Sequence, residues 1–192
     1  MHHPWWGRWG IALALAIALQ ACGPTKPRAP AIVSDEDRLD WAAEEPWFIV
    51  VRTSCRTLDV YRNGDRVRSY PAVFGIGGIK NKLHEGDHKT PTGLYAIVGE
   101  RWHPRWRRFL LLDYPNVRDV HRYEVAFDEG YIPMLGNQPA GIGGAVGIHG
   151  SDHPGLNARK VDWTWGCISI SNDDVEDLAT LVPVGTLVLI EE

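Results

Sequence analysis

The sequence carries no block of lysine and arginine. Its 20 basic and 24 acidic side chains leave a net charge of −4, too mild to suggest binding to nucleic acid. It shows no internal repeat, which sets aside solenoids and propellers. The one long apolar run, Ile11 to Leu19, is too short to span a bilayer comfortably. Gly75-Ile76-Gly77-Gly78 is followed by no Gly-Lys-Ser/Thr and by no helical pattern, so it reads as a turn rather than a phosphate loop. His149 and His153 stand four apart, but no Glu follows the first, and Gly150 and Pro154 argue against a helix. A zinc centre on His149, His153 and Cys167 is therefore the weaker reading, and no metal or organic cofactor is expected.

What is present suggests one domain with an N-terminal extension. A hydrophobic fraction of 44% over 192 residues is enough for a sizeable core. Residues 1–21 read as a signal peptide, with Arg8 as the only charged residue ahead of the apolar run. Leu19-Gln20-Ala21-Cys22 resembles a bacterial lipobox, which implies that Cys22 is lipidated and becomes the mature N-terminus. An ordinary secretory signal or a short anchor helix is the plainer alternative. Gly23, rather than Asp, after the cysteine fits outer-membrane sorting. From residue 22 to 46 the chain is rich in Pro, Ala and charge and reads as a flexible tether, because it has too little apolar surface to order itself.

Residues 47–192 form the expected domain. Trp47 to Val51 is an apolar, β-rich run, and Asn63-Gly64-Asp65 between Leu58–Tyr61 and Val67–Tyr70 is a hairpin signal. Strands are expected at Leu94–Val98, Phe109–Leu112 and Thr186–Ile190. Lys80–Lys89 is expected as a polar surface loop carrying His84 and His88. Tyr123–Pro139 reads as irregular. Trp102, Arg105, Trp106, Arg107 and Arg108 interleave aromatic and basic side chains, either as a rim facing the cell wall or as packing. Ser171 opens the one confident helix, with Val175, Leu178, Ala179 and Val182 at i, i+3, i+4, i+7 and Pro183 stopping it. The fold class that follows is a mostly-β sandwich or barrel-like domain with one short helix after Cys167. Cys55 is expected as a buried thiol.

His149 and Cys167 each end an apolar run beside a glycine. A thiol becomes a good nucleophile when an imidazole takes its proton. In Thr164-Trp165-Gly166-Cys167, the glycine suits a turn whose backbone N–H groups converge beside the sulfur, where the negative oxygen of a tetrahedral intermediate would sit. The pair reads as a Cys/His acyl-transfer site.

The stretch from His149 to Asp174 resembles the active-site signature of the L,D-transpeptidase (YkuD-like) catalytic domain: His-Gly, a variable loop, then Ser/Thr-x-Gly-Cys and a polar turn. Gly86-Asp87-His88-Lys89-Thr90-Pro91-Thr92-Gly93-Leu94-Tyr95 is similar to that family's Gly-Asp-x-x-Thr-Pro-x-Gly-x-Tyr element. The resemblance implies Cys167 as nucleophile, His149 as base, and the backbone around Trp165, Gly166 and Cys167 as oxyanion hole. Gly150 is expected to orient His149 through its carbonyl, with Ser151, Thr164 and Ser169 as supporting polar groups. Two departures stand out: Trp165 occupies the place of a common His, and Ile168 and Ser169 occupy the place of a common Arg.

The implied function is a peptidoglycan L,D-transpeptidase, in the periplasm and held by lipid to the outer membrane. It would form a thioester with a stem tetrapeptide, release D-Ala and pass the acyl group to an amine. Stem peptides and the membrane are the expected partners, not nucleic acid. A hydrolase of the same family, cutting stem peptides or releasing wall-attached protein, is the near alternative. A non-catalytic wall-binding module is the alternative from another class.

Overall fold

The computed structural model describes residues 46–78 and 81–192. The expected signal peptide, Cys22 and all of the tether except Pro46 lie outside the described residues. Ten strands are described: β1 (Trp47–Arg52), β2 (Thr57–Arg62), β3 (Asp65–Pro71), β4 (Gly93–His103), β5 (Arg107–Leu112), β6 (Met134–Leu135), β7 (Gln138–Pro139), β8 (Gly147–His149), β9 (Ile168–Ser169) and β10 (Leu187–Glu191). Eight of them form one sheet in the order β3-β2-β1-β10-β4-β5-β8-β9, while β6 and β7 pair separately. Only β1–β10 and β8–β9 run parallel. The sheet curls: beyond β3 the chain bridges back, with Val73 opposite Ser169 and Gly75 beside Thr164. The mostly-β, barrel-like class expected from the sequence is the class observed.

Alternation explains the core. Ile49 and Val51 of β1 point into the main apolar cluster with Leu58, Val60, Tyr95, Leu110, Ile148, Ile168 and Ile190. Phe48 and Val50, one residue out of phase, join Tyr61 and Leu189 on the other face. The β2–β3 hairpin turns at Asn63 and Gly64, whose φ values of 49° and 85° are those of the two-residue turn that Asn-Gly favours.

Three helices are described rather than one: α1 (Val117–Asp128), α2 (Pro154–Ala158) and α3 (Asn172–Leu181). The expected helix is α3. Ser171 caps it by accepting from the Asp174 N–H, and Val175 and Leu178 are buried in the main cluster. The extra α1 overlaps the stretch read as irregular. Its signal was local: Asn116 accepts from the N–H groups of Arg118 and Asp119, and the Asp119 side chain accepts from the Asn116 N–H, a capping box. Tyr123 and Ala126 of α1 pack with Ile132, Ala140 and Leu83.

Cys55, expected as a buried thiol, is instead half-buried and disulfide-bonded.

Asn116→Ala removes the cap of α1 and the bond from Asn116 Nδ2 to the Leu94 carbonyl. A stability loss of about 1–2 kcal/mol is expected, read as a lower denaturant midpoint with an unchanged slope. A midpoint equal to wild type would mean that the box contributes nothing.

Candidate active site

Strand register brings the histidine and cysteine together. In the parallel β8–β9 pair, Ile148 lies opposite Ile168 and His149 opposite Ser169. The two isoleucines point into the main core, so His149 and Ser169 share the other face. Cys167, two residues before Ser169, has the same phase. His149 and Cys167 both line one cleft of about 630 Å³.

The imidazole of His149 is 2% exposed. Its Nδ1 lies 2.6 Å from the Gly150 carbonyl, which can only accept, so Nδ1 carries the proton and Nε2 keeps a lone pair. Trp106 stacks on the ring at 4.4 Å between centroids, Phe109 lies at 5.9 Å, and Trp163 meets it edge-on at 5.7 Å. Burial pushes its pKa down to about 4, against the opposing pull of the Gly150 bond and the Asp152 charge.

The thiol of Cys167 donates to the Ala145 carbonyl, 3.7 Å from the sulfur. Burial pushes its thiol up to about 11, although the Gly147 backbone N–H and the Lys82 charge favour the thiolate. Gly166 needs to be glycine: its φ is 127°, and a Cβ would lie 2.7 Å from the Lys89 carbonyl. Its N–H is engaged by Thr164 Oγ1 at 3.2 Å, while that hydroxyl donates to the Cys167 carbonyl at 2.7 Å. Gly166 is thus bound within the turn rather than open as an oxyanion donor.

The remaining expected polar residues form one network. Ser169 Oγ donates to the Gly150 carbonyl at 3.1 Å and accepts from Asn157 Nδ2 at 3.1 Å. Asn157 Oδ1 accepts from Ser151 Oγ and from Trp163 Nε1, both at 2.8 Å. Asn172 brackets Ser151, with Oδ1 accepting from its N–H and Nδ2 donating to its carbonyl.

Two loops wall the cleft. Asp87 ties one: it accepts from the N–H groups of Leu83, His84 and Lys89 and from Lys82 Nζ at 2.6 Å. These bonds hold its carboxyl below the usual range against the upward push of burial. The loop was expected at the surface, yet His88 lines the cleft and stacks on Trp165 at 5.5 Å. Gly75 and Gly77 run against its backbone, leaving no room for a Cβ beside His88 and Asp87. The other wall, Gly143 to Val146, follows a segment held by Tyr123 Oη to the Ala140 carbonyl and by Tyr114 Oη to the Ile142 carbonyl. Among the described residues, no group of three His, Cys, Asp or Glu gathers as a metal site.

The model of the YkuD family, the L,D-transpeptidase catalytic domain, matches residues 45–190. The chain belongs to this family. YafK of Escherichia coli (strain K12), provisionally named an L,D-transpeptidase, is 30% identical over 128 residues, 59% of this chain and 51% of its own length. YkuD of Bacillus subtilis (strain 168), named in the same way, is 26% identical over 145 residues, 76% of this chain and 66% of its own length. The chain therefore spans between half and two thirds of these relatives. Among solved structures, the helical cell shape determining protein Pgp2 from Campylobacter jejuni has a TM-score of 0.54 at 22% identity, covering 76% of this chain and 47% of that one. An L,D-transpeptidase from Xylanimonas cellulosilytica has a TM-score of 0.52 at 18% identity, covering 77% and 61%. At such identities the structural likeness speaks for the fold.

Sequence reading of this domain named His149, Gly150, Ser151, Thr164, Trp165, Gly166, Cys167 and Ser169; of these, His149, Thr164, Trp165 and Cys167 line the cleft, and the others are hydrogen-bonded around it. It missed Trp106, Asp152, Asn157, Trp163 and Asn172. The Trp/Arg run was the available signal for the first: its turn, 104–106, joins β4 to β5 and lays Trp106 on His149. Trp102 alternates to the opposite face and is 62% exposed.

Alkylation needs the thiolate. Iodoacetamide modification read at the Cys167 peptide is therefore expected to be slow at neutral pH and to climb through the alkaline range toward about 11. A plateau reached near neutrality would mean that the site stores a thiolate, contrary to this geometry.

Proposed function

We propose that the protein is a peptidoglycan L,D-transpeptidase with Cys167 as nucleophile and His149 as general base. The observation that carries this reading is the shared cleft, where an imidazole with its Nδ1 proton fixed and its Nε2 lone pair available lines the same walls as a thiol. His149 Nε2 takes the Cys167 proton as the sulfur attacks the carbonyl of the third stem residue. The C–N bond to D-Ala breaks, and the imidazolium returns the proton to the departing amine, leaving a thioester. An acceptor amine then attacks, gives its proton to His149, and Cys167 leaves and is reprotonated. With the Gly166 N–H engaged by Thr164, the Trp165 and Cys167 N–H groups, for which no acceptor is found among the described residues, are the oxyanion donors of this scheme.

The purified full-length chain, incubated with tetrapeptide muropeptides, is expected to give cross-linked product with loss of D-Ala. Cys167→Ala abolishes it, and His149→Ala lowers it by roughly a hundredfold or more. Product formed only by water would reassign the chain to the hydrolases of its family. Full turnover in the Cys167→Ala variant would end the nucleophile assignment.

The N-terminal reading extends this proposal: Cys22 carries lipid and anchors the enzyme at the outer membrane, facing the periplasm. Lipidation takes up the Cys22 sulfur, so this reading and a Cys22–Cys55 disulfide exclude each other. The mature N-terminal peptide is therefore expected to carry diacylglyceryl on sulfur, and Cys22→Ser to leave the precursor uncut at that site. An unlipidated wild-type chain cut elsewhere would reduce the signal to ordinary secretion.

A further inference from the structure

We propose that Trp106 is a positioning residue for His149, and that Asp152 and Arg105 hold it there: the β4–β5 turn aims the base and keeps water from it. This rests on the reading of His149 as the base.

Several contacts meet at the turn. The Trp106 indole lies nearly parallel to the imidazole, at 4.4 Å and 24°. His103 also stacks on the indole, at 4.2 Å, and Phe109 lies tilted to it at 6.1 Å. Its Nε1 donates to Asp152 Oδ1 at 3.0 Å, so the indole is fixed about its own axis as well as pressed on the ring. Its carbonyl accepts from the Gly150 N–H at 3.0 Å, which ties the turn to the residue whose carbonyl orients His149. Asp152 is itself clamped: Arg105 Nε donates to Oδ2 at 2.7 Å, the guanidinium pairs with the same oxygen, and its carbon lies 5.8 Å over the Trp106 ring. These bonds hold the Asp152 carboxyl below the usual range although partial burial opposes them.

The local charges do not account for a dry imidazole. Asp152 favours protonation of His149 and His103 disfavours it. Arg105 is spent on Asp152, and Arg101 sits over the far aromatic neighbour Phe109. His153 meets Trp163 edge-on, and Cys167 faces the same cleft. What remains is the covering of the ring by Trp106, Phe109 and Trp163, of which Trp106 lies nearest. Trp106 and Asp152 lie 46 residues apart in sequence, and each is polar or aromatic in a way a buried structural pair need not be.

The test titrates the His149 imidazole by NMR in the full-length protein and measures acylation of Cys167 by a carbapenem. Trp106→Ala is expected to move the imidazole titration up toward 6.5 and to slow acylation on the order of a hundredfold with little change in KM, the cost of a misplaced base. Trp106→Phe keeps a ring face but loses the bond to Asp152, so it is expected to hold the titration near wild type and to acylate about tenfold more slowly. If Trp106→Ala titrates near 4 and acylates at the wild-type rate, Trp106 is packing only and the proposal falls, whatever its melting temperature does. Should that variant not fold, Asp152→Ala lies at the surface end of the tether. It is expected to weaken the indole–imidazole NOE and to lower acylation about tenfold, with Asp152→Asn restoring most of it because its amide oxygen still accepts from the indole. Wild-type NOE and rate in Asp152→Ala would equally overturn the tether. The titration and the NOE need no substrate, so an absence of transpeptidation or acylation in wild type would count against the proposed function and leave this inference decided by NMR.

Discussion

The carbonyl of Gly150 is the point on which the site depends. It accepts from His149 Nδ1 at 2.6 Å and from Ser169 Oγ at 3.1 Å, so it fixes both the tautomer of the base and the strand that follows Cys167. No side chain fits on this residue, because a Cβ would collide with Asn172 Oδ1 and the Trp106 carbonyl. That closeness is useful. Gly150 is gripped by the β4–β5 turn through its N–H and by Ser169 through its carbonyl, so the peptide groups on both sides of it are held. A carboxylate in the same place would hold the imidazole as firmly but would also favour its protonated form; a neutral carbonyl orients the ring with less of that bias.

The second consequence is electrostatic. Burial takes His149 down to about 4 and Cys167 up to about 11. Both shifts disfavour the charged form, so each holds its own group neutral in the resting site. Burial thus favours a neutral thiol and a neutral imidazole, and in the proposed reaction the proton moves as the sulfur attacks, when charge passes on to the substrate oxygen. Such a site is expected to be quiet toward small electrophiles until a carbonyl is seated in the cleft. It differs in this from cysteine enzymes that store a thiolate beside a charged histidine.

Much of this was legible in the sequence because it was local. His149-Gly150, Thr164-Trp165-Gly166-Cys167 and Gly86-Asp87 announce close backbone approach and a reactive pair, and Asn63-Gly64 and Ser171 announce a turn and a cap. Helix α1 was not legible from periodicity, since its buried residues are Asp119 and Ala126 while Val117, Val120, Val125 and Phe127 are exposed. An apolar stripe is a guide only where the apolar face is the buried one. Trp106 and Asp152 were hidden for another reason: their meaning lies in a stack and a hydrogen bond between segments that only the folded sheet brings together. Cys55 was read as a free thiol by elimination and is disulfide-bonded instead, a pairing that nothing in its local sequence announces.

The departures from the common family pattern can be weighed on the same ground. Ser169 is fully buried, its hydroxyl donating to Gly150 and accepting from Asn157. An arginine placed there without other change would have to bury a guanidinium beside neutral partners, a cost of several kcal/mol with no carboxylate among the partners of Ser169 to offset it. The Asn157, Ser151 and Trp163 network is therefore the neutral counterpart of a charged arrangement, and it fills the space beneath the histidine with short, satisfied side chains. Trp165 departs in the opposite sense. It is 75% exposed and touches the site through its stack on His88, at the open end of the cleft. One departure thus belongs to the support of the base and the other to the entrance. Substitutions at Ser169 should register in the chemistry of the imidazole, whereas those at Trp165 should register in what the cleft admits.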